Sequence, residues 1–129
     1  MTDSTVEASP KKRILIVEDD EQSRRYVEVL LGKEYELHAA SWAAPAWEML
    51  NSMNIDLVLM DISLPGEENG LELTRRIRAD EDLGQIPVIA LTAHAFPRDR
   101  ENSLNAGCND YISKPFDRQT LIDTIRRYI

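Results

Sequence analysis

The sequence predicts an α/β fold: a doubly wound, five-stranded parallel sheet flanked by five helices. Two observations predict it. Residues 14–17, 57–60 and 88–91 are short runs that are apolar at every position, as strands buried on both faces are. Helix-like stretches separate them, so strand and helix alternate five times along the chain. In such a sheet the strand ends line up along one edge, and ligands bind in the crevice outside the carboxyl ends.

The elements follow in order. Residues 1–12 are rich in Ser, Thr, Glu and Lys and are expected to form a disordered tail. Strand one covers 13–17. Helix one covers 20–31, with Val27, Leu30 and Leu31 on one face and Gly32 as its stop. Strand two covers 35–39. Ser41 is the expected N-cap of helix two, 42–53, and Pro45 falls early enough to be tolerated. Trp42 and Trp47 read as packing residues. Strand three covers 56–60. A loop with Pro-Gly and Asn-Gly turn signals, 61–70, leads to helix three, 71–80, whose inward positions are Leu71, Leu73 and Ile77. Strand four covers 87–91. Helix four, 98–106, is entered through Pro97 and stopped by Gly107. Strand five covers 110–113. Helix five, 118–128, has Asp117 as cap and Leu121, Ile122, Ile125 and Ile129 along one side.

Four of the apolar runs end in residues able to work on a phosphate. The first runs into Glu18 and Asp19, the third into Asp61, the fourth into Thr92, and Tyr111-Ile112 leads through Ser113 to Lys114. A lone Asp, Thr or Lys at such a place is usually structural. Their shared position at strand ends makes coincidence improbable. Three carboxylates at adjacent strand ends need a counter-charge, and Mg²⁺ supplies it through oxygen ligands. Asp19 and Asp61 are the expected direct ligands, with Glu18 acting through water and the Ser63 carbonyl as a further oxygen. An aspartate can also accept a phosphoryl group as a nucleophile, and Asp61 is the candidate. Lys114 would neutralise a phosphate oxygen and Thr92 would donate a hydrogen bond to one. A cis Lys114-Pro115 peptide would aim the lysine inward.

Size and composition bound the rest. The chain has 129 residues, enough for one domain, with 43% hydrophobic and 29% charged residues. A net charge of −8 disfavours direct nucleic-acid binding. No run approaches a membrane span and the N-terminus carries no secretory signal, so a cytoplasmic protein without membrane insertion is expected. The single cysteine, Cys108, reads as a small packing residue, with a reactive thiol as the alternative.

The motifs Ile14-Leu15-Ile16-Val17-Glu18-Asp19-Asp20, Leu59-Met60-Asp61-Ile62-Ser63-Leu64-Pro65, Leu91-Thr92-Ala93 and Tyr111-Ile112-Ser113-Lys114-Pro115-Phe116 resemble the receiver domain of two-component response regulators. The resemblance covers 13–129 and implies a (βα)5 flavodoxin-like receiver. It implies Asp61 as phosphoacceptor, Glu18 and Asp19 as the metal-binding acid pair, and Thr92 and Lys114 as phosphoryl contacts. Tyr111 matches the aromatic that changes rotamer on activation. The implied partners are a sensor histidine kinase or histidine phosphotransfer protein as donor, and a downstream protein that reads a helix 4/strand 5/helix 5 face.

The segment 92–96 and the segment 107–115 look most like single-domain cell-cycle regulators and hybrid-kinase receivers, and less like the motor-binding chemotaxis regulator. The end of the chain at Ile129 leads us to expect no output domain and a protein–protein output; separately, a monomer is expected. Two departures stand out. The 65–70 loop is one residue longer than the common pattern, and Ser63 and His94 occupy the variable positions that influence phosphoryl lifetime. Enzyme action on another substrate is not expected. An aspartyl-phosphate phosphatase needs a second acid two residues after the nucleophile, and Ser63 stands there. Neither a P-loop nor a dinucleotide glycine fingerprint is present.

Overall fold

A computed structural model of the protein describes residues 10–93 and 96–129. The expected tail therefore lies mostly outside the described residues, as does His94 with its expected influence on phosphoryl lifetime. The chain alternates β1 (Arg13–Val17), α1 (Glu21–Leu31), β2 (Glu36–Ala40), α2 (Ala43–Ser52), β3 (Leu57–Asp61), α3 (Gly70–Ala79), β4 (Val88–Thr92), α4 (Pro97–Ala106), β5 (Asp110–Ser113) and α5 (Arg118–Arg126). All five strands are parallel, in the order β2-β1-β3-β4-β5. The expected doubly wound sheet is what forms.

The strands are buried on both sides, which is why their sequences do not alternate. Leu15, Val17, Val58, Met60, Val88 and Ala90 face the side covered by α2 and α3. Ile14, Ile16, Leu57, Leu59, Ile89 and Leu91 face the side covered by α1 and α5. Burial of this kind is the main source of stability, and truncating Leu59, fully buried, to Ala would cost about 2–5 kcal/mol.

Several helix ends follow the sequence. Asp20 caps α1 and Asp117 caps α5, each accepting a backbone N–H three residues on, at 2.8 Å. Asn69 and Glu72 close a reciprocal capping box at the start of α3. Pro97 opens α4, and Gly107 ends it in the left-handed region at φ 112°. Other ends depart from expectation. Ser41 does not cap α2; the N-cap is Trp42, with no side-chain cap bond. Pro45 in the first turn has no N–H, which removes one of the donors a cap would satisfy. Gly32 does stop α1, yet in a right-handed conformation. Leu71 is only partly covered, and Thr74 takes the fully buried place on α3. On the α2–α3 surface the Arg76 guanidinium lies 4.0 Å over the Trp47 ring and pairs with Glu68 of the β3–α3 loop at 3.1 Å.

β3 and β4 each end one residue later than the apolar runs suggest. Asp61 and Thr92 are thus the last residues of their strands rather than the first of the loops. The sheet register sets Asp61 beside Leu91 and Thr92 beside Ser113.

Candidate functional site

The central strands β1 and β3 end side by side, and that adjacency builds the site. Glu18 and Asp19 follow β1, and Asp61 completes β3. Carboxylate oxygens from all three lie within 4.8 Å of one another. Glu18 is 3% exposed and Asp61 8%, while Asp19 is open to solvent. Three carboxylates this close repel one another, and two of them have little water to screen the repulsion.

The backbone shares in holding them. The Asp20 N–H donates to Glu18 Oε2 at 3.1 Å, and the Ser63 N–H donates to Asp61 Oδ1 at 2.8 Å. The opposite face of Asp61 meets α3. A Cβ on Gly70 would overlap the Asp61 carbonyl oxygen and stand 2.7 Å from the Ile62 Cα, so only glycine lets the helix start this close.

Lys114 supplies the cation. Its Nζ lies 2.6 Å from Glu18 Oε1 and 3.8 Å from Asp61 Oδ2. Its position is fixed by its own backbone N–H, which donates to the Thr92 carbonyl at 2.7 Å just past β5. The following peptide, Lys114–Pro115, is cis. By these distances the ammonium already lies at the acid cluster, with its shorter contact to Glu18. Burial pushes the Glu18 carboxyl above its usual range, and sharing a hydrogen bond with Asp61 pushes the same way; the contact to Lys114 opposes both.

Thr92 is fully buried at the end of β4, one position past Leu91, the register partner of Asp61. Tyr111, half-buried on β5, packs against the α2–α3 side of the core and pairs in register with Ala90. Glu18, Asp19, Asp61 and Lys114 therefore converge directly, with Thr92 on the adjoining strand end. Ser63 is exposed and touches Asp61 through its N–H. Sequence reasoning missed the Glu18–Lys114 pair and the Gly70 contact. The Asn-Gly pair before α3 was the available signal for Gly70.

The donor set fits a hard divalent cation: carboxylate oxygens at short mutual range, with no sulfur or imidazole among the clustered groups. The buried thiol of Cys108 lies elsewhere, pushed up by burial and held as a packing group.

Comparison with known proteins agrees with this geometry. Residues 14–126 match the response regulator receiver domain model. The chain is 39% identical over 119 residues to the polar-differentiation response regulator DivK of Brucella ovis, covering 92% of this chain and 96% of that protein. It is 38% identical to the receiver domain of sensor histidine kinase PA1611 from Pseudomonas aeruginosa PAO1, solved with a magnesium ion coordinated in the active site cleft; 92% of this chain and 97% of that one align, with a TM-score of 0.84. The chemotaxis protein CheY4 of Vibrio cholerae has the same fold at 23% identity and a TM-score of 0.85, over 92% and 99% of the two chains. The expected likeness to single-domain regulators and kinase receivers holds. No helix among the described residues is long and apolar enough to cross a membrane. The chain belongs to the response regulator receiver domain family of two-component systems.

Proposed function

We propose that the protein is a phosphorylation-switched signalling domain, spanning 13–129, that accepts a phosphoryl group on Asp61 from a phosphohistidine. The observation that carries this reading is the gathering of Glu18, Asp19 and Asp61 within 4.8 Å, with the Lys114 ammonium 3.8 Å from Asp61. In the transfer an Asp61 carboxylate oxygen forms a bond to phosphorus. The phosphorus–nitrogen bond of the donor breaks, and its electron pair returns to the imidazole. Glu18, Asp19, Asp61 and the Ser63 carbonyl would hold Mg²⁺, which neutralises phosphoryl charge when bound.

The remaining steps belong to the chain. The Ser63 N–H holds one oxygen of Asp61 and so orients the carboxylate. A dianion on Asp61 outcompetes Glu18 for Lys114, so the ammonium changes partner. The Thr92 hydroxyl donates to a phosphoryl oxygen, and Tyr111 turns into the space that Thr92 leaves. The face made by α4, β5 and α5 then changes its affinity for a downstream protein. The donor is a sensor histidine kinase or a histidine phosphotransfer protein. The domain works as a cytoplasmic monomer, makes no direct contact with nucleic acid, and catalyses only its own phosphorylation and dephosphorylation.

Incubation with Mg²⁺ and acetyl phosphate or phosphoramidate tests the reading. Intact mass is expected to rise by one phosphoryl group. An unchanged mass after both treatments overturns it.

A further inference from the structure

Helix α3 begins against the peptide that ends β3. A Cβ on Gly70, the first residue of the helix, would overlap the Asp61 carbonyl oxygen and stand 3.0 Å from the Asp61 carbonyl carbon and 2.7 Å from the Ile62 Cα. Ordinary van der Waals contact starts at 3.4 Å. Among the described residues only Gly66 and Gly107 lie in the left-handed region. Position 70 therefore demands glycine for space and not for conformation. The Gly70 N–H also donates to the Ile62 carbonyl at 3.2 Å. One residue further along, the Ser63 N–H donates to Asp61 Oδ1 at 2.8 Å. The backbone from Asp61 to Ser63 thus lies between a helix end and the carboxylate that it orients.

The helix is the firmer side of this contact. Leu73, Thr74 and Ile77 are fully buried along its inner face. The Asn69–Glu72 capping box closes its first turn, and the Thr74 hydroxyl donates to the Gly70 carbonyl at 2.8 Å. At the far end, Arg78 Nε donates to the Gly107 carbonyl at 2.8 Å, and Nη2 donates to Asn109 Oδ1 at 2.7 Å. Its Nη1 reaches the carbonyls of Gly84 and Ile86 at 3.2 and 2.6 Å, which fixes that corner. Ile62 is only half-buried and Ser63 is exposed, so a misfit at Gly70 is relieved on their side.

We infer that Gly70 is a positioning residue for Asp61. The start of α3 is a stop on which the Asp61–Ile62 peptide rests. That stop sets the direction of the Ser63 N–H and, through it, the angle at which the carboxylate meets phosphorus. The consequence for reactivity rests on the phosphoacceptor reading of Asp61; the stop itself does not. The nearest atoms to the Gly70 position are backbone atoms, so it acts through the chain and not on the carboxylate. Misplacing a reacting atom by about 1 Å costs about 100-fold in rate.

Two readouts on Gly70→Ala test this. The first is the Ser63 amide proton in the NMR spectrum, recorded with metal chelated. A hydrogen bond to a carboxylate holds it downfield in the wild type. In Gly70→Ala it should move upfield while the Leu73 and Ile77 amides stay in place. The second is the rate of adduct formation with phosphoramidate at saturating Mg²⁺, followed by intact mass. It should fall by about tenfold or more. Ile77→Val loosens the same helix away from Asp61 and should stay within about twofold of wild type. Asn69→Ala, which opens the capping box without adding an atom, gives a milder form of both changes should Gly70→Ala not fold. An unmoved Ser63 amide in every folded variant overturns the stop. A moved amide with an unchanged rate overturns the positioning role, as does an equal slowing in Ile77→Val. A wild type that forms no adduct overturns the phosphoacceptor reading instead, and leaves the Ser63 amide to decide the stop.

Discussion

Lys114 and Arg78 both face oxygen acceptors, and the molecule holds them in opposite ways. Lys114 is a point charge at the rim of the sheet, with one acceptor at 2.6 Å and a second at 3.8 Å. Arg78 is a fork whose donors already reach four acceptors between 2.6 and 3.2 Å. The first arrangement leaves a choice of partner and the second leaves none. Switching needs a cation that can trade one oxygen for another, whereas a fixed corner needs one with no better alternative.

Substitutions can break the comparison. The largest effect is expected from Asp61→Asn, which removes the acceptor and should abolish the phosphoryl adduct while circular dichroism is unchanged; an adduct of undiminished yield would move the acceptor elsewhere. Next in size, Arg78→Met strands carbonyls that water reaches poorly and should cost about 2–4 kcal/mol of stability. Urea unfolding measures it, and the adduct should still form. Lys114→Ala should do the reverse. The fold and metal binding should persist, but phosphorylation should no longer raise affinity for the downstream protein; an affinity gain equal to wild type would remove Lys114 from the switch.

The smallest effect concerns pH. The folded Glu18 carboxyl sits above its ordinary value of 4.5, so the folded state holds that proton more tightly than the unfolded chain does. Its contribution is therefore favourable below about pH 4.5 and is lost as pH rises through the folded value. Without metal, Glu18→Gln should gain stability relative to wild type as pH climbs from 4.5 to 8. A urea-midpoint difference independent of pH across that range would contradict it.

Much of the rim was legible because each signal is local: an apolar run, then a polar residue at its end. Apolar runs, helical periodicity and the cap, proline and glycine signals together located every strand and helix to within two residues. What escaped notice depends on distant backbone. Arg78 looks like one more basic residue near a helix end until carbonyls from Gly84, Ile86 and Gly107 close around it. Thr74 looks polar and therefore exposed, yet its hydroxyl is satisfied by Gly70 within the same helix, which makes its burial affordable. Ser41 has the composition of a cap, but Pro45 changes how many donors need one. Leu71 satisfies a helical pattern while sitting at the margin of the face that packs.

The stacking of Arg76 on Trp47 gives the molecule an optical handle. Glu68, in the loop that leaves Asp61, accepts from Nη1 of the same guanidinium. A displacement of that loop alters the charge above the indole, and so its emission wavelength and lifetime. With Trp42 replaced by Phe, a single fluorophore would report on the loop in real time, with no label attached.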